Sequence, residues 1–480
     1  MKVNPNIFRG YDIRGLVGKD LSPEFAHNLG RAFGTYMKSK GVTQFVVAHD
    51  CRETSPEYSK NIIRGLRETG GDVVFIGMHL VGTFYWSQHH LQRQAGVYVS
   101  ASHNPPEFNG FKLANDYSET LVSDGMADLL RIVTDESYDL SEKLGAYSEE
   151  DIRPAYYDDL LSRVKIDRKL RVVVDPGNTT AGAIAPELLR LAGCDVVEYN
   201  TTVDPTFPLG IADPTESSVM ERLRKEVVES NADIGLTYDS DGDRIGIVDE
   251  KGGVIWNDVL VALFAKEVLR IHPGSKIMFN TLCSKTVPET ITANGGEPFM
   301  WRTGHSFLKK KNQEVGAAFI GELSGHFFFS KDFFNHDDGL YSSLRILSLV
   351  ASSEAPLSAH VQQLPLYVSS PEIKLYCDDN KKVALIDKLT PVLEADYPHA
   401  EVINDERAGD GLRLDSADSM FVLRYSQNGP YVTIKFEART DEEYNLLKHY
   451  ISNLLRKYPE VEWDAPISTN VEALDHQPTK

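Results

Sequence analysis

The sequence lacks long apolar runs, is poor in cysteine, and carries more acidic than basic residues. No stretch of its 480 residues approaches the roughly 18 to 20 consecutive apolar residues of a membrane-spanning helix. The opening segment also lacks the apolar core of a secretory signal, so we expect a cytoplasmic protein. The four cysteines, Cys51, Cys194, Cys283 and Cys377, lie too far apart for a zinc knuckle or a CxxC redox motif, and we expect buried or reduced thiols.

Basic side chains are too few for an extended phosphate-binding surface. Fifty Lys and Arg oppose 70 Asp and Glu, which gives a formal net charge of −20. This charge argues against nucleic acid or an anionic membrane as a partner. A small anionic ligand would need a local cluster of cations inside an otherwise acidic protein.

The length and an internal pattern indicate several α/β domains, because a single core stops growing at about 250 to 300 residues. Three segments share a strand, a polar turn, a helix ending near glycine and a second strand; they begin at QFVVAHD, RVVVDPGN and KIMFNTL. The predicted helices lie near Pro56 to Thr69, Ala181 to Leu191 and Thr286 to Ala293. Apolar strands separated by such helices predict mixed or mostly parallel sheets with both faces covered.

The remainder of the chain changes pattern near Pro371, where helices alternate with strands such as SMFVLRYS and YVTIKFEA. This part predicts a fourth domain of α+β type. The predicted domains therefore span residues 1–148, 149–252, 253–368 and 369–463. Residues 464–480 show no periodicity, and we expect a disordered or loosely docked tail.

A loop rich in Asn, Pro and Gly follows the apolar strand GVYVS. Within SASHNPPEFNGFK, Ser102 is followed at once by His103, and Lys112 lies further along the same loop. A hydroxyl nucleophile, an imidazole and a cation could thus converge on one transferring group. An ordinary strand-end turn is the alternative that the spacing leaves open.

Three carboxylates alternate along DSDGDR, between two apolar strands. Asp239, Asp241 and Asp243 would repel one another without a nearby cation, so their grouping suggests a hard divalent ion such as Mg²⁺. An EF-hand calcium loop ending at Glu250 would need glycine where Arg244 stands, and helices on both sides. We therefore favour a metal that assists phosphoryl transfer.

Two further polar turns suggest ligand recognition. In GELSGH, the alternation of Glu322, Ser324 and His326 with glycine suits the hydroxyl groups of a sugar. The turn after FVLRYS is a hairpin signal that also displays donors suited to a phosphate, namely Arg424, Ser426, Gln427 and Asn428. The basic run Lys309–Lys311 is interpreted as a solvated helix face rather than a site.

The order and spacing of these motifs along nearly the whole chain resemble the α-D-phosphohexomutase family. Four stretches carry the resemblance: FRGYDIRG, SASHNP, DSDGDR and GELSGH. The first and last are most similar to phosphomannomutase/phosphoglucomutase enzymes, which interconvert the 1-phosphate and 6-phosphate of mannose or glucose. The resemblance implies an isomerase in which three related α/β domains with mixed sheets and a C-terminal α+β domain surround a central cleft.

The resemblance also implies a mechanism. Ser102 would carry a phosphoryl group and would share one Mg²⁺ with Asp239, Asp241 and Asp243. A hexose 1,6-bisphosphate would form as intermediate and activator, and it would turn round before its other phosphoryl group returns to Ser102. Sugar phosphates would be the small-molecule partners of a monomer or small homo-oligomer.

Further residues receive roles from the same resemblance. The transfer centre would be lined by Arg14, His103, Lys112, Arg244 and His326. The sugar and the non-reacting phosphate would be bound by Glu322, Ser324, Arg302, His305, Arg424, Ser426, Gln427 and Asn428. The chain departs from the family pattern at Gln427 and Asn428, and at Leu282, where close relatives carry a sugar-contacting lysine.

Three alternatives stay open at this point. A phosphoglucosamine mutase is the nearest, although its sugar loop more often has Gln where this chain has Leu323. A non-catalytic calcium-binding protein would use the loop from Asp239 to Glu250. A metal-dependent phosphatase would use the same carboxylates to activate water.

Overall fold

The computed structural model describes residues 3–426 and 429–476, and the chain divides into two compact units. Unit 1 comprises Met1–Asn257 and Ser324–His360, and unit 2 comprises Asp258–Leu323 and Val361–Lys480. None of the helices in the described ranges is both long and apolar enough to cross a bilayer.

A seven-stranded mixed sheet opens unit 1. Its strands are β1 (Asp12–Leu16), β2 (Gln44–His49), β3 (Asp72–Met78), β4 (Ala95–Val99), β5 (Phe108–Asp116), β6 (Glu119–Thr120) and β7 (Tyr147–Glu149). They lie in the order β1-β5-β4-β2-β3-β7, with β6 paired to β5. Because β4, β2 and β3 are parallel, the loops that follow them leave the same edge of the sheet.

Helices cover this sheet: α1 (Pro23–Lys38), α2 (Ser55–Glu68), α3 (Val81–His90) and α4 (Asp124–Asp135), with a short 3₁₀ helix at Pro5–Ile7. The Oγ of Ser22 accepts the Phe25 N–H over 3.1 Å and caps α1. Helices α1 and α2 approach closely because Gly65 has no side chain; a Cβ there would lie 2.2 Å from the His27 carbonyl oxygen. The helix predicted near Pro56 to Thr69 is α2.

A five-stranded sheet follows in unit 1. The chain runs through α5 (Arg153–Arg163), β8 (Arg171–Val174), α6 (Ala185–Leu191), β9 (Asp195–Glu198), α7 (Ser217–Ser230), β10 (Ile234–Tyr238), β11 (Ile245–Asp249) and β12 (Val254–Ile255). The strands lie in the order β12-β11-β10-β8-β9, and β10 and β11 form an antiparallel hairpin. The turn of that hairpin carries Asp239 to Arg244.

The helix predicted from Ala181 to Leu191 is wrong at its start. Thr180–Ala183 form a 3₁₀ helix, Ile184 leaves the helical conformation, and α6 begins at Ala185. Pro186 has no N–H to donate and is tolerated only in the first turn of a helix, so the chain restarts there instead of continuing.

Unit 2 begins with another strand-helix-strand pattern: α8 (Asn257–Ile271), β13 (Lys276–Asn280), α9 (Thr286–Ala293), β14 (Glu297–Trp301), α10 (His305–Val315) and β15 (Phe319–Gly321). Strand β13 is parallel to both β14 and β15. The predicted helix from Thr286 to Ala293 is confirmed.

The solvated helix face predicted for Lys309–Lys311 is wrong at Lys309. That residue is buried because α10 turns its position toward the protein, whereas Lys310 is exposed.

The chain next passes through β16 (Phe327–Phe328), α11 (Gly339–Ala351) and α12 (Leu357–Val361), mostly within unit 1. The remainder of unit 2 holds β17 (Val368–Ser369), β18 (Ile373–Cys377), α13 (Lys382–Asp396), β19 (Glu401–Ile403), β20 (Gly411–Asp415), β21 (Ser419–Tyr425), β22 (Tyr431–Ala438), α14 (Asp441–Leu455) and β23 (Val461–Glu462). These strands form one sheet in the order β19-β20-β21-β22-β18-β23, with β17 paired to β22. The hairpin predicted from Asn-Gly is the β21–β22 pair.

The expectation of a disordered or loosely docked tail is wrong for residues 464–476. Val471–Leu474 form a 3₁₀ helix whose Val471 and Leu474 side chains are buried in the core of the last sheet. The Ser452 hydroxyl of α14 donates to the Leu474 carbonyl over 2.7 Å. Two apolar anchors are too few to produce a periodic signal. All four cysteines are buried and free, as expected.

Candidate active site

Ser102 lies in the turn after β4, and its hydroxyl faces the loop between β10 and β11. Its Oγ donates to Asp239 Oδ2 over 2.9 Å and lies 3.2 Å from His103 Nδ1. Ser102 is buried and has a φ of +50°, a left-handed conformation that costs a non-glycine residue about 1 kcal/mol. A strained, buried serine that reaches a carboxylate across 137 positions of sequence favours a functional site over an ordinary turn.

Asp239, Asp241 and Asp243 form an acidic group that could hold a metal ion. Each places one carboxylate oxygen within 4.8 Å of the others, and all three residues are buried. The Oδ1 atoms of Asp241 and Asp243 accept no hydrogen bond from any residue in the described ranges. Buried carboxylate oxygens with unfilled lone pairs fit a hard divalent cation such as Mg²⁺, which prefers oxygen ligands.

Two cations reach the same loop. The Nζ of Lys112 lies 2.8 Å from Asp241 Oδ2 and 2.6 Å from Asp243 Oδ2. The Arg244 guanidinium donates through Nε to Asp239 and through Nη1 to Asp213, both over 3.0 Å. Its Nη2 is buried and has no hydrogen-bond partner among the residues that the structure describes. An anion entering the site could therefore bind Arg244 without displacing its existing partners.

Burial and neighbouring charges shift the pKa values of this loop in different directions. Burial raises the pKa of Asp239 well above its usual range, and the charge of Asp243 adds to the rise. At Asp243 burial opposes ionisation, but Lys112 and then His326 outweigh it and lower the pKa of that carboxyl. Burial likewise opposes the charge of Lys112, but Asp241 and Asp243 outweigh it and raise the pKa of its ammonium group. Lys112 is thus charged at neutral pH.

Arg14 and His326 complete the network in unit 1. The Nη1 of Arg14 donates to Asn104 Oδ1 over 2.7 Å, within the Ser102 loop. His326 Nδ1 lies 2.6 Å from Asp337 Oδ2 and 3.8 Å from Asp243 Oδ1. The structure therefore brings together all nine residues predicted for the transfer centre and its metal site: Arg14, Ser102, His103, Lys112, Asp239, Asp241, Asp243, Arg244 and His326. Ser324, also in unit 1, is half-buried.

Within unit 2, the residues predicted to recognise the sugar surround the start of α10. Glu322 follows β15 and is buried; its Oε2 accepts the Gly304 N–H over 3.0 Å and lies 3.4 Å from Asn280 Nδ2. His305 is the first residue of α10 and is buried. The guanidinium of Arg302 lies over the Phe307 ring, 4.4 Å from its centroid. Leu282, the departure from the family pattern, is buried as well.

The predicted phosphate-binding turn begins at the end of β21. Arg424 forms a two-pronged pair with Asp410, with Nε 3.0 Å from Oδ1 and Nη2 2.5 Å from Oδ2. Lys382 donates to the carbonyl oxygens of Ser426 and Gly429, the latter over 2.9 Å, and so holds both ends of the turn. The two remaining predicted residues, Gln427 and Asn428, lie outside the described residues.

Several buried charged residues around the unit 1 network carry no prediction from the sequence, among them Arg52, Asp213 and Asp337. Arg52 had a usable signal, because the charged pair Asp50 and Arg52 directly follows the apolar strand β2, beside β4. Asp213 and Asp337 lie in irregular segments whose spacing carries no periodic signal, and only the folded chain brings them to Arg244 and His326.

Comparison with known proteins identifies the family of this chain. Three consecutive profiles match: phosphoglucomutase/phosphomannomutase alpha/beta/alpha domain I at residues 5–139, domain II at 154–253 and domain III at 256–367. The chain belongs to the phosphoglucomutase/phosphomannomutase family. Together with the sheet-containing C-terminal part, this confirms the predicted fold class.

Individual relatives match this chain over almost their whole length. The chain is 36% identical over 451 residues to a phosphomannomutase/phosphoglucomutase of Pseudomonas aeruginosa, covering 94% of this chain and 96% of the relative. It is 33% identical to a phosphoglucomutase of Neisseria gonorrhoeae, with 96% and 99% covered. A crystal structure of a phosphoglucomutase/phosphomannomutase family protein from Burkholderia thailandensis superposes with a TM-score of 0.88 at 34% identity, over 96% of this chain and 99% of that one.

Membership in the phosphoglucomutase/phosphomannomutase family makes this chain a hexose phosphate mutase, and therefore an isomerase of carbohydrate metabolism. A non-catalytic calcium-binding protein is not compatible with that membership. The acidic loop also lies between strands β10 and β11, whereas an EF-hand loop lies between helices.

Proposed function

We propose that this mutase interconverts the 1-phosphate and 6-phosphate of mannose, glucose or both, with Ser102 as its phosphoryl carrier. The observation that carries the proposal is the Ser102 hydroxyl, buried and held 2.9 Å from Asp239 beside Lys112 and Arg244. A hydroxyl at this place would meet both the carboxylates of a metal site and the cations that a phosphoryl group needs.

The metal proposed for this site is one Mg²⁺ per chain, held by Asp239, Asp241, Asp243 and an oxygen of the Ser102 phosphate. When bound, it would neutralise charge on the phosphoryl group during transfer. The two buried Oδ1 atoms without donors, on Asp241 and Asp243, support this assignment.

Phosphoryl transfer would then follow from the protein's own groups. A hydroxyl of the sugar attacks phosphorus on Ser102, the Oγ–P bond breaks, and a new O–P bond forms on the sugar. Lys112, Arg14 and the Nη2 of Arg244 would stabilise the charge on the transferring group. His103, beside Ser102, and His326, bonded to Asp337, are the imidazoles that would take the proton of the sugar hydroxyl and supply a proton to Ser102 Oγ as the Oγ–P bond breaks.

The product of the first transfer is a hexose 1,6-bisphosphate. Once it has turned round, Ser102 Oγ loses its proton and attacks the other phosphoryl group; the O–P bond on the sugar breaks, and the sugar oxygen takes up a proton. In our proposal Glu322 and Ser324 bind sugar hydroxyls in either orientation. Arg302 and His305 would also bind the substrate, and the phosphate that is not reacting would be held by Arg424, Ser426, Gln427 and Asn428.

The proposal also covers the domains, the location and the partners of the protein. The four segments 1–148, 149–252, 253–368 and 369–463 would act as domains of a cytoplasmic monomer or small homo-oligomer. Its partners would be sugar phosphates and not nucleic acid or membrane, in keeping with the net charge of −20.

Intact-protein mass spectrometry combined with activity assays tests the proposal. Wild type, Ser102→Ala and the control Ser59→Ala, another buried serine of unit 1, are incubated with hexose 1,6-bisphosphate and Mg²⁺. We expect one phosphate on wild type and on the control, none on Ser102→Ala, and a loss of mutase activity of at least about 10³-fold in Ser102→Ala alone.

The substrates used in that assay separate the alternatives. Turnover of glucosamine phosphate alone would identify a phosphoglucosamine mutase. Steady release of inorganic phosphate without isomer formation would identify a phosphatase. A wild type that stays unphosphorylated after incubation with the bisphosphate would refute the role of Ser102.

A further inference from the structure

Arg52 lies beneath the Ser102 loop and uses every hydrogen that its guanidinium can donate. It is only 2% exposed. Its Nε donates to Asp50 Oδ2 over 3.1 Å. Its Nη2 donates to the carbonyl oxygens of Ser102 and Asn104, both over 2.6 Å, and its Nη1 to those of Pro105 and Phe108, over 2.7 and 2.9 Å. All five N–H groups of the fork thus have an acceptor.

The four backbone carbonyl oxygens that surround the Arg52 guanidinium would repel one another without a cation between them. Arg52 supplies that cation, in a rigid planar form whose donors diverge at fixed angles. Asp50 fixes the fork in turn, because its Oδ1 is held by the Arg52 N–H and by the Ser55 hydroxyl, over 3.0 and 2.6 Å. The Phe207 ring covers the guanidinium, 4.9 Å away. Arg14 and the Ser240 hydroxyl also bond this loop, at Asn104 and at the Ser102 carbonyl, but among the described residues only Arg52 joins four of its carbonyl oxygens.

We propose that Arg52 is a positioning residue that fixes Ser102 for phosphoryl transfer, an inference that rests on the proposed role of Ser102. Arg52 bonds the Ser102 carbonyl, whereas the catalytic groups face the hydroxyl of the same residue. It therefore acts on the reaction through the backbone.

The need for such a residue follows from the left-handed φ of Ser102. This conformation is unfavourable for serine and persists only when surrounding contacts impose it. The Ser102 Oγ must also stay in place while it loses a phosphoryl group and receives another in each turnover. A loosened loop would slow both transfers, because small displacements of a reacting atom reduce rates strongly. Substrate binding by other residues would change little.

A second aspartate–arginine pair in unit 1 offers a matched control. Asp175 follows β8 as Asp50 follows β2, is fully buried, and pairs with Arg222 Nε over 2.6 Å. Arg222 comes from α7 and bonds the carboxylate, not the Ser102 loop. Replacement of Arg222, whose side chain is more exposed than that of Arg52, should thus disturb an aspartate–arginine pair and leave the position of Ser102 unchanged.

The test compares Arg52→Lys with Arg222→Lys in the full chain. Lysine keeps the charge but cannot donate in five fixed directions. Three measurements are made with Mg²⁺ and hexose 1,6-bisphosphate present: steady-state kinetics for glucose 1-phosphate (kcat and KM), the fraction of Ser102 phosphorylated by intact mass, and amide exchange in a peptide spanning 101–109. For Arg52→Lys we expect kcat about 10- to 100-fold lower with KM within about threefold, a lower phosphorylated fraction and faster exchange. Arg222→Lys should stay within about twofold of wild type in all three.

Several results would contradict the role proposed for Arg52. Wild-type kcat and wild-type exchange in Arg52→Lys would overturn the proposal, as would equal losses of kcat in both variants that follow their losses in melting temperature. Should Arg52→Lys fail to fold, Phe207→Leu retains the five bonds but uncovers the guanidinium, and we expect the same changes at smaller size; unchanged exchange and kcat there would likewise overturn the proposal. A wild type without phosphate on Ser102 would refute the carrier role, while the exchange comparison would still decide whether Arg52 holds the loop.

Discussion

The proposed transfer centre of unit 1 and the proposed recognition residues of unit 2 join side chains over different distances in the sequence. In unit 1, Ser102 bonds Asp239 across 137 positions and Lys112 bonds Asp243 across 131. In unit 2, Glu322 accepts from Gly304 across 18 positions, and Arg424 pairs with Asp410 across 14. The first network thus joins loops from two different sheets, whereas the second set is local to neighbouring strands and helices.

This difference has a consequence for how the two sets respond to change. Because the unit 1 network joins two sheets through buried charges, removal of one member leaves others buried without partners. The recognition residues have nearby partners, so changes there should alter ligand binding and leave the chemistry intact. We therefore expect unit 1 variants to lose kcat and unit 2 variants to lose substrate affinity.

The largest effect is expected for Lys112→Met, which removes the cation between Asp241 and Asp243. The two carboxylates would lose a partner less than 3 Å away, and the transferring group would lose a positive charge. We expect kcat to fall by at least about 10²-fold, since loss of one electrostatic contact to a transition state has costs of this order. Steady-state kinetics at saturating Mg²⁺ measures the change.

The matched control is Lys435→Met, which breaks a buried pair of unit 2. Lys435 Nζ lies 3.0 Å from Asp258 Oδ2, and both residues are buried. Both variants should lower the melting temperature, but only Lys112→Met should lower kcat of the folded fraction strongly. Equal kcat values in the two variants would contradict the distinction between the two networks.

A smaller effect is expected for Glu322→Gln in unit 2. The change keeps the shape of the side chain and removes its charge, so bonds to sugar hydroxyls and to the Gly304 N–H weaken. A hydrogen bond to a charged group contributes about 1.5–3 kcal/mol, so KM should rise about 10- to 100-fold with a smaller change in kcat. Phosphorylation of Ser102 by hexose 1,6-bisphosphate should persist, which mass spectrometry can follow.

The control for Glu322→Gln is Glu437→Gln. Glu437 is another buried glutamate of unit 2, and it accepts from Ser284 Oγ and the Lys285 N–H over 3.0 and 2.7 Å. It holds the protein's own backbone, so its replacement should change stability rather than KM. A Glu322→Gln enzyme with wild-type KM would refute the recognition role of Glu322.

The contrast in sequence distance also explains what could be predicted from the chain. Strands, helices and the acidic loop follow from local periodicity, and Ser102 and Asp239 could be singled out because each follows an apolar strand. Arg52 also follows an apolar strand and could have been singled out, but its acceptors in the Ser102 loop are set by packing. Asp213 and Asp337 could not be assigned, because their partners are fixed by packing between irregular segments. The interruption at Ile184 and the docking of Val471 likewise depend on one proline and on a few tertiary contacts.

The smallest effect concerns the pH dependence of unfolding in unit 1. Burial lowers the pKa of His79 to about 4, and the charge of Arg153 adds to the decrease, whereas an exposed histidine in the unfolded chain titrates near 6.5. The unfolded state therefore binds the proton more readily. The contribution of neutral His79 to the free energy of unfolding is fully present above pH 6.5 and is lost as the pH falls toward 4. Between pH 7.5 and 6, wild type should lose about 1 kcal/mol of unfolding free energy that His79→Leu does not lose. Denaturant titrations at both pH values measure the difference.

The control is His399→Leu, which removes an exposed histidine of unit 2 and should behave as wild type. If His79→Leu retained the full pH dependence, the titrating group would lie elsewhere, and acid sensitivity would not distinguish unit 1 from unit 2.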